Sequence, residues 1–309
     1  MARQKPRLAL PTRDGVSASC VALPTGPWRT LLEFLCERFP AISAQEWTQR
    51  FEQHLVFDAH GAAVPVTQTY TPHTHLYYYR SVSDEPALPF KAQVLFQDAH
   101  LVVADKPHFM PVTPAGRYVK QSLLVQLKTQ LGLETLSPLH RIDRETAGLV
   151  LFSINPQERA RYQTLFRERQ VSKLYQAIAP VRPELELPLT YRSRLEPSEQ
   201  FFRSHEVRGE PNSETTLSLL KTEKINNQEK GLYQLEPVTG QRHQLRIHMN
   251  ALGIPIEGDQ FYPHVLRGPD EAEDFSQPLQ LLAKSIAFTD PISGEARAFE
   301  SAQRLRIYV

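Results

Sequence analysis

Apolar residues recur along this chain at two spacings, one helical and one extended, and the changes between them mark the elements. In "TLLEFLCERF", Leu31, Leu32, Leu35 and Phe39 fall on one side of a helix. "PAISAQEWTQRFEQ" follows, with Ser43 placed to cap a second helix and Glu46 three residues on, the spacing of a capping box. "HLVFDAHGAAV" and "THLYYYR" read as strands. Two helices and short strands predict a compact α+β module.

Further on, "HLVVADKP" reads as a strand ending at Lys106-Pro107. "QSLLVQLKTQLG" reads as a helix capped by Ser122, with Leu124, Leu127 and Leu131 as its stripe and Gly132 as its stop. "GLVLFSI" is a continuous apolar run, the pattern of a strand buried on both faces. Asn155-Pro156 predicts a helix start, with Pro at the first position. In that helix Tyr162, Leu165 and Phe166 face the core and the arginines project elsewhere. "VSKLYQAIAP" alternates as a strand, so Lys173 and Tyr175 share a face. "RHQLRIHMNALG" reads as a helix with Leu245, Met249 and Leu252 on one side and Gly253 as its stop. Mixed, mostly hairpin-like strands with interspersed helices predict an α+β fold rather than a regular βαβ series.

No repeat or low-complexity tract is present. The stretch "SVSDEPALPFK" carries two prolines and no periodicity, which marks a linker. The expected organisation is an extension over residues 1–24, a small module over 25–82, a linker over 83–91 and a large module over 92–309.

Composition narrows the function classes. With 309 residues the chain has room for two domains. Two cysteines, Cys20 and Cys36, are too few for a disulfide framework and read as reduced thiols of a cytosolic protein. No run approaches the roughly 18 apolar residues of a membrane span. The basic N-terminus "MARQKPRLALPTRDG" has too short an apolar part for a secretory signal. The expectation is a cytoplasmic protein with no membrane partner. Net charge is only +1, but it is unevenly spread. Residues 30–80 carry three basic and five acidic groups, a net of −2, whereas residues 141–175 carry seven basic and four acidic groups, a net of +3. A local basic face is what a polyanion requires.

That basic region surrounds "SPLHRIDRETAGLVLF", where Asp143 stands between Arg141 and Arg144. Nearby guanidinium groups favour the ionised form of a carboxylate, which suits a nucleophile, an electrostatic stabiliser or a weak base. A structural ion pair at a loop–strand junction fits the same spacing. His243 and His248 are five apart, poor for joint metal ligation on a helix, and no cysteine pair accompanies them, so no metal is expected. Arg246 is placed either to reach a pocket or to sit solvated on its helix, and Tyr175 is either core or chemistry. Glycine-rich phosphate loops, a nucleophile elbow and a dinucleotide fingerprint are absent from the sequence.

Taken together, these segments resemble the RluA family of RNA pseudouridine synthases over residues 92–302. "LVVADKP" is similar to the family's opening strand and Lys-Pro. "HRIDRETAGLVLF" is close to its His-Arg-Leu-Asp-Arg-x-Thr-Ser-Gly-Leu pattern, and "FRERQVSKLYQAI" to its basic helix and Lys-x-Tyr strand. "TGQRHQLRIHMNALGIPIEGDQFY" resembles Thr-Gly-Arg-x-His-Gln-x-Arg-x-His followed by a Gly-Asp-x-x-Tyr turn. The resemblance implies a mixed, largely antiparallel sheet with flanking helices. It implies Asp143, Tyr175 and Arg246 as the catalytic trio, with Arg246 paired to Asp143. For RNA binding and base flipping it implies Arg141, His140, Arg144, Lys173, Arg167, Arg169, Arg242, His243 and Gln244. It further implies a monomer that needs no cofactor and acts on a uridine of structured rRNA or tRNA. Departures include Ala147 for the family's Ser, Gln241 for its first Arg, Ile254-Pro255 for a His-Pro, and Leu282 where a His would fall. None touches the trio. The small module resembles a degenerate S4-like RNA-binding domain with few basic residues.

Two other functions fit parts of the pattern. One is an inactive RNA-binding or ribosome-associated relative, against which the intact trio argues. The other is a carboxylate-based glycosidase, which needs a second, protonated acid. Glu145 is near, but nothing in the sequence marks it for that role.

Overall fold

The structure, a computed structural model, describes residues 10–80, 85–198, 202–225, 228–266, 271 and 274–305. Two compact units emerge. The smaller runs to Pro86 and includes Gly116–Lys120, and the larger takes Ala87–Ala115 and the chain from Gln121. The division falls inside the expected linker, whose first positions, with the rest of 81–84, lie outside the described residues. So do residues 1–9 of the expected extension.

In the small unit, β1 (Ser19–Ala22), α1 (Leu31–Arg38), α2 (Ala44–Glu52), β2 (Val56–Phe57) and β3 (His75–Tyr78) follow in order. The strands form an antiparallel sheet, β1-β3-β2. The expected extension thus contains a strand of the small unit. Thr30 caps α1, accepting the Glu33 N–H at 3.2 Å. Ser43 caps α2, accepting the Glu46 N–H at 3.1 Å. The Glu46 carboxylate pairs with Arg50 at 2.9 Å, so one half of the expected capping box is seen among the described residues. Phe34, Leu35, Trp47, Val56 and Leu76 fill the core. Phe34 enters it where the stripe had placed Leu32, which packs at the margin.

The large unit opens with the hairpin β4 (Gln93–Gln97) and β5 (Leu101–Lys106), then α3 (Leu123–Leu131), β6 (Ser137–Pro138) and β7 (Ala147–Ser153). Next come α4 (Arg159–Arg167), β8 (Ser172–Pro180), β9 (Leu189–Pro197) and β10 (Ser204–Val207). The long pair β11 (Ser213–Ile225) and β12 (Gln228–Pro237) leads to α5 (Gln244–Ala251), and β13 (Leu281–Thr289) and β14 (Ala296–Glu300) close the sheet. The main path is β10-β9-β11-β12-β8-β13-β7-β5-β4, with β14 beside β13 and β6 beside β7. Among the described residues, β13–β7 is the parallel contact and the other pairings are antiparallel.

Every residue of β5 and β7 is buried, as their unbroken apolar runs require. α4 packs Tyr162 and Leu165 against Leu101, Val103, Leu149 and Leu151. α5 packs Leu245 and Met249 against Leu217, Tyr233 and Leu235 at the other end of the sheet.

Three helices differ from expectation. α3 buries Leu123, Val125 and Leu127, while Leu124 and Leu131 are half-buried. Ser122 holds its N-cap position without a side-chain cap bond, and Gly132 ends the helix in the left-handed region at φ 67°. α4 begins at Arg159, because the Asn155 carboxamide accepts the Gln157 N–H at 3.1 Å and makes a turn of the Asn-Pro segment. α5 is buried all round from Gln244 to Met249 rather than on one stripe. Polar partners on the strands, described below, accept its second face.

Gly148 in β7 sits at φ 110°, and a Cβ there would lie 2.3 Å from the Ala283 carbonyl oxygen across the parallel join. Neither the dihedral nor the backbone contact can give cheaply. Gly148→Ala is expected to cost roughly 3 kcal/mol, read as a lower urea midpoint at unchanged slope.

Candidate active site

Asp143 lies in the loop between β6 and β7, where the Thr146 N–H closes a turn onto its carbonyl at 3.2 Å. β7 then runs directly into the core, so the aspartate is anchored by a strand wedged between β5 and β13. Its side chain is 26% exposed, enough for a ligand to touch it. The nearest guanidinium is that of Arg246, with Nη1 3.5 Å from Oδ2. The flanking arginines go elsewhere: Arg144 pairs with Glu145 at 2.9 Å, and Arg141 is exposed at the mouth of the same pocket.

Arg246 is buried, 1% exposed. Asp259 grips it in a fork, from Nε to Oδ2 at 2.8 Å and from Nη2 to Oδ1 at 2.6 Å. Asp259 is fixed in turn by the Phe261 and Tyr262 N–H groups at 2.8 and 3.1 Å. Phe261 and Tyr262 also pack on the guanidinium, 4.9 and 5.5 Å from their ring centres. Burial opposes the charge of Arg246, but Asp259, Asp143 and Glu145 outweigh it and hold the guanidinium more firmly protonated than usual. Glu145 lies 3.8 Å from Nη1. Burial pushes its pKa up, yet Arg246 and Arg144 carry it below the usual carboxylate range. Glu145 is therefore no proton donor at neutral pH, which removes the second acid that glycoside hydrolysis needs.

Tyr175 comes from β8, in register with Leu235 and Ala283. Burial, and then the neighbouring Asp143, raise its pKa, so the phenol stays neutral. Lys173 stands two residues earlier on the same face and donates to the Thr239 carbonyl at 3.2 Å. Asp143, Tyr175, Lys173, His243 and Arg246 line one pocket of about 100 Å³ with Thr239–Gln241 along its rim.

The residues expected at an RNA interface divide. Arg141, Arg167, Arg169 and Arg242 are exposed on the large unit. His140 is half-buried and engaged at one nitrogen. Its Nε2 accepts the Leu151 N–H at 3.2 Å, its ring stacks on Phe166, and burial, with Lys173 adding to it, drives its pKa down to about 3. Gln244 is internal. Its carbonyl accepts from Thr239 and the Gln241 N–H at 2.7 and 3.0 Å, and its amide donates to the Glu214 carbonyl and to Thr215, both at 2.9 Å. With every polar position engaged, Gln244 braces the loop rather than offering a contact. His243 caps α5 in the left-handed region at φ 57°, a conformation costing about 1–2 kcal/mol outside glycine. Its Nε2 lies 3.9 Å from Asp143 Oδ2, and burial lowers its pKa.

His248 points away from the pocket, among the hydroxyls of Ser193, Ser213 and Thr215 at 2.9 to 3.2 Å. Among the described residues, no group of three His, Cys, Asp or Glu side chains is arranged to hold a metal. Two site residues escape a reading of local spacing. Asp259 is the main partner of Arg246, for which "EGDQFY" was the only signal. Lys106 is fully buried, and its ammonium donates to the Pro107 and Arg144 carbonyls at 3.0 Å, tying β5 to the Asp143 loop. Burial lowers its pKa to about 7, with Glu145 and Asp143 opposing.

Residues 100–251 match the family model described as RNA pseudouridylate synthase. In fold, the chain is similar to Human RNA Pseudouridylate Synthase Domain Containing 1. The TM-score is 0.57, covering 71% of this chain and 86% of that one at 22% identity. Fold and family model together define the class, the enzymes that isomerise uridine in RNA to pseudouridine. An uncharacterized RNA pseudouridine synthase of Synechocystis is 31% identical, over 75% of this chain and 79% of its own length. The dual-specificity RNA pseudouridine synthase RluA of Haemophilus influenzae is 32% identical, over 70% and 95%. The tRNA pseudouridine synthase C of Vibrio vulnificus is 30% identical, over 64% and 85%. The chain belongs to the RluA family of RNA pseudouridine synthases. Among its described residues no helix is long and apolar enough to cross a membrane.

Two outcomes follow from the site's electrostatics. Asp259→Asn leaves a buried guanidinium short of its main counter-charge and is expected to cost about 3 kcal/mol with a fall in turnover. Urea unfolding and single-turnover rates read the two effects. Burial also lowers His108 and His248 to about 4, alongside His140 near 3, from an ordinary 6.5. The unfolded chain then binds protons below pH 6.5 that the folded chain refuses, so stability falls as pH drops from 6.5 toward 4. His248→Gln is expected to flatten that slope by up to about one proton in urea titrations across this window.

Proposed function

We propose that Asp143 is the carboxylate that acts on the target uridine, with Arg246 and Tyr175 beside it. The observation that carries this reading is that, among the described residues, Asp143 is the one carboxylate lining the pocket, and Asp259 takes the fork of Arg246. Among the described residues, Asp143 is thus held at one oxygen by a single weak side-chain hydrogen bond and keeps its remaining lone pairs for substrate.

The reaction breaks the N1–C1′ bond, turns the uracil, and joins C5 to C1′. A proton leaves C5 and N1 gains one, so no electrons enter or leave. Attack at C1′, addition at C6 and removal of a sugar proton all need an ionised carboxylate at that end of the nucleotide. Arg246 supplies a fixed positive charge 3.5 Å from Asp143. The Tyr175 ring offers a stacking face for the uracil and a neutral phenol near C5. The base must leave the RNA stack to enter so small a pocket. Arg141, exposed at the mouth, is placed to fill the vacated space or grip a phosphate.

The substrate we propose is a uridine in structured rRNA or tRNA, bound mainly by the basic surface of the large unit. The small unit, read as a degenerate S4-like module, brings a net −2 over residues 30–80 and few phosphate contacts. The same reading expects a cytoplasmic monomer.

Pseudouridine-specific chemical mapping of total RNA tests this reading, comparing a deletion strain with its parent. One site is expected to vanish, to return with the wild-type protein, and to stay absent with Asp143→Asn. Restoration by Asp143→Asn would sink the assignment. In vitro, Asp143→Asn is expected to slow turnover by roughly 10³-fold or more at unchanged stability. Arg141→Ala is expected to weaken RNA binding or turnover by about tenfold without changing the melting temperature, and unchanged kinetics would remove its role.

A further inference from the structure

His243 is buried in the pocket wall with its ring fixed by two neighbours. Phe261 stacks on it at 21° with centroids 5.9 Å apart, Tyr262 meets it edge-on at 88°, and Nδ1 lies 3.0 Å from the Tyr262 hydroxyl. That hydroxyl settles which nitrogen carries the proton. It accepts the Ser204 N–H at 3.1 Å and donates to the Ser204 carbonyl at 2.9 Å. Ser204 and Pro197 form a non-hydrogen-bonded pair of β10–β9, next to the Ser198 N–H bond to the Arg203 carbonyl, so the Ser204 carbonyl points away from β9 and, among the described residues, only Tyr262 donates to it. The single phenolic proton is therefore committed to Ser204. Only an accepting lone pair remains for His243, so Nδ1 must be the N–H. Burial keeps the imidazole neutral. Its Nε2 is then a bare acceptor lining the pocket, 3.9 Å from Asp143 Oδ2, too far for a bond and with no proton to offer. Among the described residues, nothing donates to it.

The position of this lone pair selects its partner. In a uridine, C6 and C1′ lie at one end of the base and N3–H at the opposite end. If Asp143 faces C1′ and C6, an acceptor beside it faces the sugar, not the N3–H edge. The donor next to C1′ is the 2′-hydroxyl. We propose that His243 reads the ribose of the target nucleotide, its Nε2 accepting a hydrogen bond from the 2′-hydroxyl and so separating uridine from 2′-deoxyuridine. This rests on the placement of Asp143 given above.

The probe is a stem-loop oligoribonucleotide spanning the mapped site, made with uridine or with 2′-deoxyuridine at that one position. The wild type is expected to convert the deoxy probe about tenfold more slowly or worse in single turnover. His243→Phe, which keeps a flat ring but no acceptor, is expected to slow the uridine probe and to lose most of the difference between probes. His243→Gln, whose amide oxygen can accept, is expected to retain part of it. Full wild-type discrimination by His243→Phe overturns the proposal, and so does equal conversion of both probes by the wild type. Nitrogen-15 shifts of the wild-type imidazole near pH 7 give an independent reading that needs no variant. Protonated Nδ1 and bare Nε2 are expected, and the opposite tautomer overturns the proposal. Asp143→Asn on the uridine probe is the separate control. Activity there would refute the carboxylate assignment, whereas its absence leaves the His243 comparison to stand or fall alone.

Discussion

The fork between Arg246 and Asp259 is the interaction on which the site depends. A buried guanidinium is stable only with counter-charge and satisfied donors. Asp259 supplies both, from a turn that its own backbone bonds hold closed. Had Asp143 been the principal partner, it would have been a structural ion pair with its oxygens occupied. Because Asp259 takes the fork, Arg246 delivers a fixed charge to Asp143 at 3.5 Å while leaving it open to the pocket.

The fold brings these groups together from separate elements. β7 ends the Asp143 loop in a wholly buried strand, β8 presents Tyr175, and α5 carries Arg246. Lys106 on β5 fastens the same loop through the Arg144 carbonyl. The site is thus pinned to the sheet at several places, which suits the role proposed for Asp143, a carboxylate held against one bond.

Strands β5 and β7 were legible because a run buried on both faces needs only apolar residues. The four motifs resembling the RluA family carried the trio, and the structure brings Asp143, Tyr175 and Arg246 into one pocket. What local pattern missed was how polar side chains are spent. His140 and Gln244 look like RNA contacts in sequence, yet Gln244 is consumed, and His140 held at one nitrogen, by partners that only the tertiary fold provides. α5 reads as one-sided because its second face is polar, although Ser193, Ser213 and Thr215 bury it. Asp259 lay in a quoted motif, but its task became visible only opposite Arg246. At Asn155-Pro156 a side-chain turn displaced the helix start that proline favours.

The central claim is that Asp143, freed by the Asp259 fork, meets the sugar end of a flipped uridine. The most direct measurement is a structure of the Asp143→Asn protein bound to an RNA stem-loop that carries its target. The account predicts the target uracil stacked on Tyr175, with the residue 143 side chain about 3–3.5 Å from C1′ or C6. It also predicts that Arg246 remains forked to Asp259. A target base seated elsewhere, or an Arg246 that abandons Asp259 to bind the RNA, would contradict it.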